Sequence, residues 1–233
     1  MAALFKRKFW AEHEPNWEAW LDLHLNNFRQ NQEKAFAQSE IERGIRNEHY
    51  EMQASHWLNL AAPILARLHP HAKFIILLRE PIDWVNSMLN DLVQLPAVVG
   101  DNAPKLRAYY DLRFHGEPTA REEFTEPSPW PDGFPPLAGM LAYWSSTYTE
   151  LCAAIPAERR LILRTADISE CAPVLARFLN VKEGVLDQTR AQVDRRTDYP
   201  KIVEQMDQSD VDRLVAHHLA RVPACIREKL NGN

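Results

Sequence analysis

The chain has 233 residues, 45% of them hydrophobic, enough for one α/β-sized domain with a substantial core, and a single domain over residues 1–233 is expected. A formal net charge of −5 argues against a general nucleic-acid binder, and the longest apolar runs, about five residues, fall far short of the roughly 20 that cross a bilayer. Cys152, Cys171 and Cys225 are widely spaced without a CxxC pair, so neither a disulfide framework nor a zinc site is expected, and a reducing, cytoplasmic setting fits.

The amino terminus carries no signal-peptide apolar core. Met1 to Trp10 mixes Lys6, Arg7 and Lys8 with Phe5, Phe9 and Trp10, as a basic arm or a strand edge would. Pro15 and Asn16 open a helix in which Trp17, Trp20 (or Leu21), His24 and Phe28 step around one face, with Leu25 beside them. Gln30 to Arg43 is polar and helix-favouring, and is expected to end at Gly44. A segment YEMQASHW, Tyr50 to Trp57, stands before a helix from about Leu58 to Leu68 and the His69-Pro70 turn. His56 in that segment is a candidate base, because imidazole titrates near neutral pH.

Phe74 to Leu78 is too short for a helix and rich in isoleucine, as a strand covered on both faces would be. Arg79 and Glu80 follow, and Pro81 suits the first position of a helix. In that helix Ile82, Val85, Met88 (or Leu89) and Leu92 should face inward, leaving Asp83, Asn86, Ser87 and Asn90 on other sides. Ligands of open α/β sheets bind at the carboxyl ends of strands, where a guanidinium fork and a helix start both favour a phosphate. Arg79 occupies such a point.

From Leu95 to Pro136 the pattern weakens, half of the chain's 16 prolines fall here, and only Lys105 to Phe114 reads as helical. Tyr109, Tyr110, Phe114, Phe124 and Trp130 suit either contact with an apolar or sugar-like ligand or a self-packed loop. Leu137 to Ile155 is a helix with Met140 (or Leu141), Trp144, Tyr148, Leu151 (or Cys152) and Ile155 on one stripe. Arg160 to Arg164 is a second short strand, Pro173 to Leu179 a short helix, and VDRRTDYPK, Val193 to Lys201, a basic stretch. Ser209 to Arg221 is an amphipathic helix with Ser209 as its expected N-cap, Asp212 at the capping-box position, and Val211, Leu214, Val215, His218 and Leu219 inward. His217-His218 lacks further ligands at metal spacing, so no metal is expected.

Strand, Arg79, an acid, Pro81, and Ser87 eight positions after the arginine together resemble the 3′-phosphate-binding motif of sulfotransferases that use 3′-phosphoadenosine 5′-phosphosulfate (PAPS). The carboxyl half is similar as well: W-x3-Y on a helix, a strand, T-A-D-I, then R-F-L-N-V, where the family often has Y-E-D-L and F-L-G-V. The resemblance covers residues from about 5 to 200. It implies that Arg79 and Ser87 hold the 3′-phosphate and that a basic loop offering Arg195 or Arg196 closes over it. It also implies that Glu51, matching the Glu of an FEKSxxYF-like segment, deprotonates the acceptor. Met52 and Gln53 depart from the usual Lys and Ser there. The region 95–136 would line the pocket of a small-molecule or carbohydrate acceptor.

No stretch resembling P-K-S-G-T-T, the loop that would bind the 5′-phosphosulfate, occurs among these residues, and only seven glycines are present. The expectation is therefore a three-layer α/β domain with a parallel sheet, of the P-loop-like sulfotransferase type, missing its first strand and loop. Such a chain is a sulfotransferase lacking a half-site, or a noncatalytic nucleotide-binding or interaction module on the same scaffold. The sheet edge left by a missing strand would favour a homodimer.

Overall fold

A computed structural model describes residues 11–13, 21–22, 25, 52–54, 58–99, 101, 103–115, 134–186 and 201–232. In chain order they form β1 (Ala11–His13), β2 (Met52–Ala54), α1 (Leu58–Leu68), β3 (Phe74–Leu78), α2 (Pro81–Val99), α3 (Ala103–His115) and α4 (Leu137–Ala154). Then come β4 (Arg160–Arg164), α5 (Ala172–Leu179), α6 (Gln208–Arg221) and α7 (Ala224–Leu230). The chain divides into two compact units. A strand unit comprises Met1–Leu78 and Leu151–Arg195; a helical unit comprises Arg79–Glu150 and Arg196–Asn233.

In the strand unit β3 and β4 pair in parallel, from Phe74 opposite Arg160 to Leu78 opposite Arg164. Parallel strands read as uninterrupted apolar runs because both faces are covered. Here Ile75, Leu77, Leu161 and Leu163 pack with Cys171, Leu175, Ala176 and Leu186, while Ile76 and Leu78 are buried by the alternation of the strand. A second parallel pair sets Ala11 opposite Met52 and His13 opposite Ala54. Leu21 and Leu25, each helical and four positions apart, are both buried, as the periodicity requires.

Arg159, just before β4, ties the strand pair to the turn that precedes β3. Its Nε donates to the carbonyl of Ala72 (3.0 Å), Nη1 to that of Ala66 (2.9 Å) and Nη2 to that of His69, and the guanidinium lies over the Phe74 ring at 5.4 Å. The last turn of α1 leaves carbonyls without helical partners, and a planar cation with several donors satisfies them at once. Helix α5 ends in a left-handed residue, Asn180 at φ 59°, with the Val181 N–H donating back to the Ala176 carbonyl (3.0 Å). The sulfotransferase pattern has glycine at this position, and asparagine is the usual alternative in this backbone region.

The helical unit departs from the sequence expectations in three places. Helix α2 continues through Pro96 to Val99, although order was expected to weaken from Leu95. Proline so near a helix end removes only one late backbone hydrogen bond. Asn86 and Asn90, expected away from the interior, are 8% and 2% exposed. Burial is tolerated because Asn86 Oδ1 accepts from the Val203 N–H (3.1 Å) and Asn90 Nδ2 donates to the Asn86 carbonyl (2.6 Å). Finally, α6 begins at Gln208, and its N-cap is Asp207 in place of Ser209. The Asp207 carboxylate accepts from both the N–H (2.9 Å) and the hydroxyl (2.7 Å) of Ser209, which holds it below the usual carboxylate range. An ionised cap is the stronger acceptor, so it takes the end.

Two contacts fix how the helices of this unit approach. Gly139 of α4 lies so near α3 that a Cβ on it would stand 1.9 Å from the Phe114 carbonyl oxygen, a separation only glycine permits. His218 of α6 is fully buried, with Nδ1 3.4 Å from the Ser145 hydroxyl of α4. Ser145 gives its own proton to the Ala142 carbonyl (3.0 Å), so Nδ1–H is the donor in that pair. No described residue reaches Nε2. Burial, with His217 and Arg221 nearby, lowers the His218 pKa to about 4, so the ring is neutral.

Candidate functional site: the turn after β3

Leu78 ends β3 fully buried, and two half-buried residues, Arg79 and Glu80, make the turn into α2. Pro81 starts the helix, and its first turn closes when the Trp84 N–H donates to the Glu80 carbonyl (2.9 Å). Strand end, arginine and helix start thus fall within a few residues, the arrangement that favours an anion.

The main chain of Arg79 is held from α4 on both sides of its Cα. Its carbonyl accepts the Trp144 indole N–H at 3.1 Å, and its own N–H points to the Tyr148 hydroxyl at a longer 3.4 Å. The two rings meet edge to face at 5.0 Å. Burial pushes the Tyr148 phenol up to about 12, an effect the Arg79 N–H and charge partly oppose, so the hydroxyl keeps its proton. No described residue forms an ion pair or hydrogen bond with the Arg79 guanidinium.

The comparable arginine on the neighbouring strand behaves differently. Arg164, the last residue of β4, has Asp167 three positions on, with Nε and Oδ2 3.5 Å apart. Three positions after Arg79 the chain has Ile82. One strand-end cation is matched by a local carboxylate and the other is not.

Ser87 sits two turns into α2 and is half-buried. Asp83 and Asp91 lie one turn to either side on the same stripe, both exposed. An anion beside Ser87 therefore needs compensating cations, and Arg79 is on the same segment. Lys201 is exposed and paired with Glu204 (2.6 Å), whose hydrogen bond and charge raise its pKa. Glu51, His56, Arg195 and Arg196 lie outside the described residues.

Among the aromatic residues expected near an acceptor, Tyr109, Tyr110 and Phe114 are all buried, while Phe124 and Trp130 lie outside the described residues. The Tyr110 and Phe114 rings stack at 5.6 Å, Trp84 and Tyr143 meet Phe114 edge-on at 6.1 and 5.4 Å, and the Arg113 guanidinium lies 4.7 Å from the Tyr143 ring. Self-packing, the other reading the sequence left open, describes these three. The sequence also missed the polar ends of Trp144 and Tyr148: their spacing marked an apolar stripe, and nothing local announces that their N–H and hydroxyl meet one distant residue.

Short parallel strand pairs and the helices around them define a mixed α/β protein, with Arg79 at one strand's carboxyl end beside a helix start. The family model described as the sulfotransferase domain matches residues 5–185, and the chain belongs to that family. Comparison with curated proteins and with solved structures finds no match. Among the described residues no helix is long and apolar enough to cross a membrane, and no group of three or more His, Cys, Asp or Glu side chains is placed to hold a metal.

Proposed function

We propose that this chain is a PAPS-type sulfotransferase domain whose described site holds the 3′-phosphate of the donor, with Arg79 as the principal cation and Ser87 as a secondary hydroxyl donor. The observation that carries this reading is half-buried Arg79, set at a strand end beside a helix start, its guanidinium in no ion pair or hydrogen bond with a described residue. It fits a phosphate dianion. Arg195 or Arg196 would add charge from the carboxyl-terminal loop, and Glu51, with His56 as the alternative, would take the acceptor's proton. When bound, PAPS supplies the activated sulfuryl group. The acceptor is a hydroxyl or amine on a small molecule or carbohydrate, and the setting is the cytoplasm. One three-layer domain over residues 1–233 belongs to the same reading.

The other half of the donor does not fit equally well. A loop like P-K-S-G-T-T is not present in the 233 residues, and Met52 and Gln53 replace the usual Lys and Ser. Those absences favour, as a second reading, a module that binds the nucleotide without transferring its sulfuryl group. Losing even one preorganised donor typically costs about 10² to 10³ in rate, and here a lysine and several amides are lacking together.

Calorimetry tests the phosphate site that both readings share, and a transfer assay tests the chemistry that divides them. Adenosine 3′,5′-bisphosphate should bind more tightly than adenosine 5′-phosphate, and Arg79→Ala should remove at least about tenfold of that affinity while Arg164→Ala leaves it unchanged. Equal affinity in wild type and Arg79→Ala would remove Arg79 from the site. Transfer from labelled PAPS to a panel of phenols, sugars and amines should be negligible for this chain; robust transfer would show that the 5′ half-site is built from other residues.

A further inference from the structure

We infer that Trp144 and Tyr148 are positioning residues for the 3′-phosphate site, holding the Arg79 main chain so that its guanidinium is presented in one place. The inference rests on the assignment of Arg79 to that phosphate. The pairing of β3 with β4 ends at Leu78, so Arg79 is the first residue beyond the paired stretch, with an N–H and a C=O to be held. Two side chains of α4 take over both groups, the indole N–H on the carbonyl at 3.1 Å and the phenol oxygen on the amide at 3.4 Å.

The spacing explains why one helix can do this. Residues four apart lie one turn above each other on a single face, and an extended residue presents its N–H and C=O to the same side. With both groups engaged, the dihedrals on either side of the Arg79 Cα are fixed. The long arginine side chain then starts from a set point, which lowers the ordering cost of binding an anion. Neither ring is free to drift: Trp144 is fully buried, Tyr148 nearly so, and the two rest edge to face. Trp144 carries the shorter bond and should matter more.

Trp144→Phe keeps the aromatic packing and removes the N–H, and Tyr148→Phe removes one oxygen. Each variant is titrated with adenosine 3′,5′-bisphosphate and with adenosine 5′-phosphate, alone and combined with Arg79→Ala. The bisphosphate should bind about five- to tenfold more weakly to Trp144→Phe and about two- to threefold more weakly to Tyr148→Phe, while adenosine 5′-phosphate binding is unchanged. In the Arg79→Ala background neither substitution should weaken the bisphosphate further, because the group they position is gone. Should Trp144→Phe fail to fold, Tyr148→Phe carries the same test. Equal losses for both ligands, or full losses persisting without Arg79, would reduce the pair to a packing role and overturn the inference. Unchanged affinity in folded variants of a wild type that prefers the bisphosphate overturns the clamp alone; a wild type with no such preference overturns the functional assignment and the clamp with it.

Discussion

The strand unit and the helical unit place their polar groups differently. In the strand unit cations work on main-chain carbonyls: Arg159 on Ala66, His69 and Ala72, Arg160 on Cys152 and Ile155, and Lys73 on Phe178. In the helical unit polar side chains go inside, and Asn86, Asn90, Ser145 and His218, the buried polar residues among those described, all belong to it. Burying such groups costs stability unless each finds a partner, so a sequence carries them where a particular geometry is worth holding. That unit also carries Arg79, Trp144 and Tyr148.

The comparison predicts which substitutions each unit tolerates. Gly139→Ala should be the most damaging, because a methyl group cannot share space with the Phe114 carbonyl and α3 must move. A loss of about 3 kcal/mol is expected in urea unfolding, with faster amide exchange in the helical unit first. A loss under about 1 kcal/mol would mean the helices can part cheaply, and the helical unit is then no more rigid than its counterpart. Arg159→Ala should cost about 2 kcal/mol, since one charged group serves three carbonyls, and exchange should rise at β3 and the end of α1. If protection there is kept, the strand pair does not depend on that arginine.

His218 gives the helical unit a pH dependence of its own. Its folded-state pKa is about 4 against 6.5 for the free side chain. Between those values the unfolded chain binds a proton that the folded one does not, so stability should fall as pH drops from 6.5 toward 4. The difference between wild type and His218→Gln, followed by thermal unfolding across that window, isolates the contribution from that of the carboxylates. Parallel curves would assign the buried ring no part in acid sensitivity. The smallest effect is expected at the end of α5, where Asn180→Gly should be nearly neutral and Asn180→Ala should lose about 1 kcal/mol from strain at positive φ. An alanine variant as stable as wild type would show that this turn relaxes without cost.

Local pattern carried a good part of this structure. The runs FIILL and RLILR are strands at their expected positions, and the stripe from Met140 to Ile155 is buried as its period requires. The place of Arg79 between a strand end and a helix start was legible because the strand, the cation, Glu80 and Pro81 follow one another. What escaped depends on partners far along the chain. Asn86 is inside because of the Val203 amide, Gly139 is required by the Phe114 carbonyl, and Trp144 and Tyr148 answer to Arg79. The Asp207 cap is a different case: D-Q-S-D offers several capping residues within four positions, and only the competition between a carboxylate and a hydroxyl decides among them.

The pairing of β3 with β4 joins residue 74 to residue 160, and that distance has a cost in time. Long-range parallel contacts form late, because the intervening chain must be closed before any ladder bond is gained. During synthesis β3 emerges first and waits about 4 to 17 s for its partner at the usual 5–20 residues per second. Through that interval Phe74 to Leu78 is an apolar strand with an open edge, the kind of segment that aggregates or engages chaperones. How β3 is sheltered in those seconds should therefore bear on the yield of folded protein in a cell, and slowing translation between residues 79 and 159 should lower it.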